Sequence, residues 1–267
     1  MKHTNPVIRL HPDMIHSGQL VLVNQTNPVV TSLQDCRLVP LTTIQQAGTE
    51  EQELRLNQTC LQQLASLLEA CHALENIGVV SGYRSQEQQK HIYDTSLLDH
   101  GAEFTASYVA RPGESEHQTG LAVDVGQLLE DVDYLCPSFP DHGIYASFKQ
   151  LAAEYGFIQR YQEGKEHITN IACEPWHYRY VGVPHSILME QHELCLEEYI
   201  MFLKQFPFGG SHLHTKMNNQ YIEIYYIRAE DIETWLPIKS DSKYEWSGNN
   251  SDGFIITMFH EQEQGSQ

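Results

Sequence analysis

The stretch SEHQTGLAVDV, residues 115–125, limits what this chain can fold into more than any other. Leu121-Ala122-Val123-Asp124-Val125 reads as a short buried strand, yet it carries a carboxylate in the middle. A lone buried carboxylate is strongly disfavoured or shifts its pKa. The fold must therefore deliver a positive partner to Asp124. His117, seven residues earlier in the same stretch, is one group that could share that partner.

The 267 residues suit one medium domain with an appendage, or two small domains, and 41% hydrophobic content is enough for a sizeable core. With 35 acidic against 16 basic residues, the net charge of −19 argues against nucleic acid or an anionic lipid surface as a partner. No run approaches the 18 apolar residues of a membrane span, and the start, MKHTNPVIRLHPDM, does not read as a signal peptide. The expectation is a cytoplasmic protein. The six cysteines, at 36, 60, 71, 136, 173 and 195, form no C-x-x-C pair and read as reduced thiols.

Along the chain, SGQLVLVNQTNPV reads as a hairpin, with LVLV as a strand and NQTNP as turn chemistry. Leu61, Leu64, Ala65, Leu68 and Cys71 share one helical face within 50–76. IGVVSG is a buried strand. Ser85 followed by Gln88 is a capping box that places Arg84 at the mouth of a helix running to about Asp99, with Gly101 beyond its end. YASFKQLAAEY is a third helix stopped by Gly156, GFIQRY and EPWHYRYVG are strands, and LEEYIMFLKQF is a last helix. Composition shifts at PFGGSH, after which the chain is strand-rich; Tyr225, Tyr226 and Trp235 are expected to fill the core of that part. The fold class is α+β: a small mixed or antiparallel sheet with flanking helices over residues 1–205, and a small β-rich extension over 206–267.

His117, Asp124, Glu174 and His177 are the metal-binding residue types gathered in these segments. Two histidines and a carboxylate are a donor set that catalytic zinc accepts, with a position left for water. A carboxylate outside the set can act as general base. Pro175 fixes the backbone between Glu174 and His177, so the two can be aimed separately. Glu174 as base with His177 as ligand is the economical assignment, and spacing leaves the reverse open. Arg84, held ahead of a capped helix, is a fixed cation suited to charge developing on a carbonyl oxygen. The chain carries no phosphate-cradling glycine loop and no G-x-S-x-G.

SGYRSQEQQ, SEHQTGLAVDVG and EPWHYRYVGVPHS, in that order, make the chain resemble the zinc-dependent D-alanyl-D-alanine peptidases of the VanY type, and within them the VanXY subgroup, over about residues 18–205. The resemblance implies zinc ligands at His117, Asp124 and His177, Glu174 as catalytic base, and Arg84 as stabiliser of the oxyanion. It places Ser115 at the position that holds the substrate's C-terminal carboxylate, and Gln89 and Trp176 at pocket-lining positions. The implied substrates are the D-Ala-D-Ala dipeptide and the pentapeptide end of a muramyl cell-wall precursor, with glycopeptide resistance as the consequence. Two other readings compete with this one: an L,D-carboxypeptidase acting on tetrapeptides, and a non-catalytic protein that keeps a structural zinc. The extension's role is open between stabilisation and formation of a homodimer.

Overall fold

The computed structural model describes residues 7–30, 37–42, 44, 46, 53–129, 131–217, 219–237 and 243–260. In chain order the elements are β1 (Val7–Leu10), β2 (Leu38–Pro40), β3 (Arg55–Asn57), α1 (Gln58–Ala70), β4 (Ile77–Ser81), α2 (Gln86–Asp99), α3 (Gly101–Tyr108), β5 (Ala122–Gln127), α4 (Gly143–Leu151), β6 (Phe157–Gln159), α5 (Glu166–Thr169), β7 (His177–Tyr180), α6 (His185–Gln191), α7 (Leu196–Leu203), β8 (Leu213–Met217), β9 (Gln220–Arg228), β10 (Thr234–Pro237), β11 (Lys243–Gly248) and β12 (Gly253–His260). Short 3₁₀ turns occupy Pro12–His16, Glu116–Thr119 and Ala152–Tyr155. Two compact units result: Val23–Val30 with Gln34–Glu197, and Met1–Leu22 with Thr31–Leu33 and Glu198–Gln267.

The larger unit is built on an antiparallel sheet of order β4-β5-β7-β6. Alternation along a strand sends successive side chains to opposite faces. Val123 and Val125 of β5, and Tyr178 and Tyr180 of β7, join one apolar cluster with Val79, Phe157 and the buried side of α1. Asp124 and His177 lie directly opposite each other, as do Ala122 and Arg179, on the other face. A register shift between Val79 and Ser81 brings Ser81 opposite Asp124. The catalytic-type residues therefore share a face because the apolar residues between them are committed to the core.

Helix α1 begins where the Asn57 side chain accepts from the amides of Thr59 (2.9 Å) and Cys60 (3.3 Å). Its buried residues are Cys60, Leu64, Leu67 and Leu68, while Leu61 and Ala65 only flank the core. The apolar face is thus rotated slightly from the expected stripe, toward Cys60 and Leu67. The Ser85–Gln88 capping box is present in both directions, at 3.1 and 2.8 Å. Helix α2 ends at Asp99 as expected, with Gly101 just beyond it. At φ +83° that glycine lets the chain turn straight into α3, so α2 and α3 are consecutive. Gly156 stops the third helical segment as expected, in the left-handed region at φ +86°.

In the second unit β11-β12-β9-β8 form an antiparallel sheet, and β1 pairs antiparallel with β10. The strand at the start of the chain therefore belongs with the C-terminal strands, a pairing that a linear division at residue 205 does not capture. The core here is Ile8, Leu10, Tyr225, Leu236, Phe254, Ile256 and Met258. Tyr226 is also buried, but Trp235 is 52% exposed and carries the Arg9 guanidinium over its ring at 4.6 Å. Alternation on the short strand β10 sends Thr234 and Leu236 inward and Trp235 outward.

LVLV is not a strand. Leu20 to Val23 are buried, but their amides find single acceptors instead of a ladder: Leu20 N–H donates to Ser247 Oγ (2.8 Å) and Leu22 N–H to the Asn249 carbonyl (3.3 Å). The turn after it does form. Asn24 Oδ1 accepts from the amides of Thr26 and Asn27, both at 3.0 Å. Cys36 lies outside the described residues; Cys60, Cys71, Cys136, Cys173 and Cys195 are all free thiols.

Candidate active site

Three elements deliver the central groups. The 3₁₀ turn Glu116–Thr119 presents His117, β5 presents Asp124 and β7 presents His177. Gly120, between the first two, sits at φ +71°. That left-handed conformation is what calls for glycine; a Cβ would first meet the movable end of the Leu38 side chain, at 2.6 Å. His117, Asp124 and His177 are all buried, and one ligand atom from each lies within 4.8 Å of the others.

The donor chemistry fits a metal cation. His117 Nδ1 lies 2.7 Å from the Gly82 carbonyl, which can only accept, so that nitrogen carries the proton. Burial, reinforced by the nearby Arg84 cation, lowers the His117 pKa and keeps the ring neutral. Its Nε2 is then a bare lone pair with no hydrogen-bond partner, 3.1 Å from Asp124 Oδ2. A lone pair facing an anionic oxygen in a buried gap calls for a cation. His177 Nδ1 lies 2.9 Å from the other Asp124 oxygen. Burial lowers the His177 pKa, but the bond to Asp124 outweighs it and holds the ring up at about 9. Burial likewise opposes charge on Asp124, and His117 and His177 together hold it well below the usual carboxylate range. Metal ligands must lose such protons, so a divalent cation competes for the same lone pairs.

Glu174 stands beside this set, with Oε2 3.6 Å from His177 Nδ1. Burial pushes its carboxyl up to about 8. Its backbone is tied on both sides: its amide donates to the Tyr161 carbonyl (3.0 Å), and its carbonyl accepts from the His177 amide (3.3 Å). Arg84 is held by three contacts. Nε donates to Ser81 Oγ (2.8 Å), Nη1 to Gln89 Oε1 (3.3 Å) and Nη2 to Asp124 Oδ2 (2.7 Å). A guanidinium has five N–H groups, so each terminal nitrogen keeps one more to offer. Gln89 is oriented in turn by donating to the Ala110 carbonyl (2.7 Å). Ser115 is buried, and its hydroxyl makes no capping bond to the turn it precedes. Arg84, Gln89, Ser115, Glu174 and Trp176 line one small cavity of about 40 Å³ with the three central residues. The structure therefore brings all eight residues singled out in the sequence to one place.

It also adds residues that sequence reasoning did not find. Glu116, next to His117, is fully buried and bound by Arg160 Nε (2.8 Å) and Arg179 Nη1 (2.9 Å). Arg160 also grips Glu197 with both terminal nitrogens, at 2.9 and 2.7 Å. Tyr161 packs against the His177 ring at 4.9 Å between centroids. Alternation in HYRY puts Arg179 on the same face as His177, which was the one local signal available.

An antiparallel sheet whose polar face gathers two histidines, an aspartate, a second carboxylate and an arginine is the site of a zinc-dependent hydrolase. Residues 53–183 match the family model described as VanY, D-alanyl-D-alanine carboxypeptidase. The chain is 38% identical over 187 residues to the bifunctional D-Ala-D-Ala dipeptidase and carboxypeptidase VanXYC of Enterococcus gallinarum, covering 70% of this chain and 95% of that one. Among solved structures, the vancomycin-resistance D,D-dipeptidase VanXYg in complex with a D-Ala-D-Ala phosphinate analogue superimposes with a TM-score of 0.89 at 41% identity, over 96% of this chain and 99% of that one. A mutant of the D,D-pentapeptidase VanY from a VanB-type cassette, in complex with Zn(II), matches with a TM-score of 0.56 at 32% identity, over 68% and 98%. The chain belongs to the VanY family of metallopeptidases.

Proposed function

We propose that this protein hydrolyses the D-Ala-D-Ala dipeptide and removes the terminal D-alanine from muramyl pentapeptide precursors, and so supports glycopeptide resistance. The observation that carries the reading is Glu174: a buried carboxylate poised beside a His117–Asp124–His177 donor set in a cavity that also holds a fixed arginine. His117, through Nε2, with Asp124 and His177 would hold zinc. When bound, zinc supplies a Lewis acid that polarises the peptide carbonyl and makes water easier to deprotonate.

The chain's own groups account for the remainder. With a divalent cation held beside it, which favours its ionised form, Glu174 accepts the proton of the attacking water at its carboxylate and passes it to the leaving amine. Arg84 directs its two remaining N–H groups at the oxyanion, anchored by Ser81, Gln89 and Asp124. The Ser115 hydroxyl receives the substrate's C-terminal carboxylate, and Gln89 and Trp176 shape the walls. No helix among the described residues is long and apolar enough to cross a membrane. The free thiols support a cytoplasmic setting, where the dipeptide and the unfinished precursor are both found.

The test is incubation of the zinc-loaded enzyme with D-Ala-D-Ala, pentapeptide and tetrapeptide, together with Glu174→Ala. Release of D-alanine from the dipeptide and pentapeptide is expected. Cleavage of the tetrapeptide alone would instead identify an L,D-carboxypeptidase. Glu174→Ala is expected to keep zinc and lose about 10²- to 10⁴-fold in kcat. Loss of zinc in that variant would make Glu174 a ligand and point to a closed, structural site.

A further inference from the structure

Glu116 has no part in the reaction described above, yet it is among the most deeply buried charged groups of the larger unit. Its two oxygens differ. Oε1 takes both guanidinium contacts, from Arg160 (2.8 Å) and Arg179 (2.9 Å). Oε2 has no hydrogen-bond partner, and 3.8 Å away lies His177 Nε2, which has none either. Two complementary buried atoms without partners, facing each other, are an uncommon arrangement in a packed interior.

The tautomer of His177 gives the pair its meaning. Nδ1 faces Asp124 and Glu174, so it is the nitrogen on the metal side. A neutral imidazole that offers Nδ1 as a lone pair carries its proton on Nε2. Glu116 Oε2 is the carboxylate oxygen nearest that nitrogen, at 3.8 Å. An approach of roughly 0.6 Å brings the separation within hydrogen-bond range. The His177 ring is meanwhile confined by Tyr161 on one side and by the edge-on His117 ring, with centroids 5.0 Å apart, on another.

We infer that Glu116 is a positioning residue for zinc: its Oε2 receives the Nε2 proton of His177, fixing the tautomer and aim of that ligand. Arg160 and Arg179 hold the carboxylate in place, and Glu197 balances the far side of Arg160. A carboxylate behind a metal-binding histidine raises its basicity and sets its orientation. This inference rests on His177 being a ligand, as proposed above.

The experiment compares Glu116→Gln with Glu197→Gln in the full-length protein. Both remove a charge from Arg160, but only Glu116 faces His177. Zinc affinity is read by chelator competition, stability by thermal melts of metal-free protein, and the His177 Nε2–H by NMR of ¹⁵N-labelled, zinc-loaded protein. Glu116→Gln is expected to weaken zinc binding about 10- to 100-fold and move the Nε2–H resonance upfield. Glu197→Gln should leave both near wild type whatever its melting temperature. Equal weakening in the two variants, or wild-type zinc affinity in Glu116→Gln, would reduce Glu116 to a counter-charge and overturn the inference. If Glu116→Gln does not fold, Glu116→Asp keeps the charge for the two arginines but withdraws the oxygen from His177. Wild-type zinc affinity in that variant overturns the inference, and weakened binding with an unchanged melting temperature supports it. His177→Ala is the control on the underlying reading: zinc binding that survives it shows that the ligand assignment, not the role of Glu116, has failed.

Discussion

Two four-stranded antiparallel sheets occur in this chain, β4-β5-β7-β6 and β11-β12-β9-β8. In the second, both faces of the central strand β12 are buried and nearly all apolar: Phe254, Ile256 and Met258 on one side, Ile255 on the other with Thr257. Among its charged groups Glu223 is only half-buried, bonded to His212 (2.5 Å) and His260 (2.8 Å). The first sheet commits only one face to apolar packing. Its other face carries Asp124, His177 and Arg179, all buried. Burying charges costs more than their attraction returns unless every charge is paired and hydrogen-bonded. The difference teaches that the site's sheet needs a second layer of ions, Glu116, Arg160 and Glu197, only because its second face does chemistry.

Four measurements would break or sharpen that contrast. The largest effect is expected from Arg160→Met, which leaves Glu116 and Glu197 short of their shared cation. Removing one partner from a buried ionic cluster costs about 3–5 kcal/mol, read as a lower urea midpoint. A neutral result would mean that the ionic layer is dispensable. Ile256→Ala attacks the apolar sheet by creating a cavity and should cost about 3 kcal/mol, with zinc affinity unchanged. Weakened zinc binding would show that the two sheets do not divide their labour as described.

pH gives the third cut. Burial lowers the His185 pKa from 6.5 to about 3, so the folded state keeps this ring neutral while the unfolded chain protonates it below 6.5. More protons bound by the unfolded state means stability falls as pH falls from 6.5 toward 3. Between pH 7 and 5 the loss from this group is about 2 kcal/mol. His185→Gln should flatten that part of the profile, and an unaltered profile would reject the assignment. The smallest effect belongs to the helix that mounts Gln89. Ser85→Ala removes the cap and should cost about 1 kcal/mol in the melt. Any loss in kcat/KM beyond the loss of stability would show that the cap also aims Arg84.

Much of this could be read before any coordinates. Asp124 betrayed itself by breaking an apolar run, and the Ser85–Gln88 box and Gly156 marked helix ends through local chemistry. What failed to show was non-local or overridden. LVLV has strand composition, but its amides are taken singly by Ser247 and Asn249, which no local pattern announces. Helices α3 and α6 start without a side-chain cap, so no local signal marks them. Glu116 and Arg179 lie 63 positions apart, with Arg160 between them, and the three meet only once the sheet has formed. Their identities look like surface charge until topology buries them.

The pairing of Asp124 with Ser81 on one side and His177 on the other has one more consequence. The strand that carries the aspartate is interior to its sheet, so its amides exchange with solvent only when the sheet itself opens. Deuterium uptake at Val123–Val125 should be as slow as anywhere in the larger unit, while α2 and α3, whose faces are largely exposed, take up label early. The metal end of the site would then be permanent on the timescale of turnover. The wall that carries Gln89 and Ala110 would be the part that yields when a longer peptide enters.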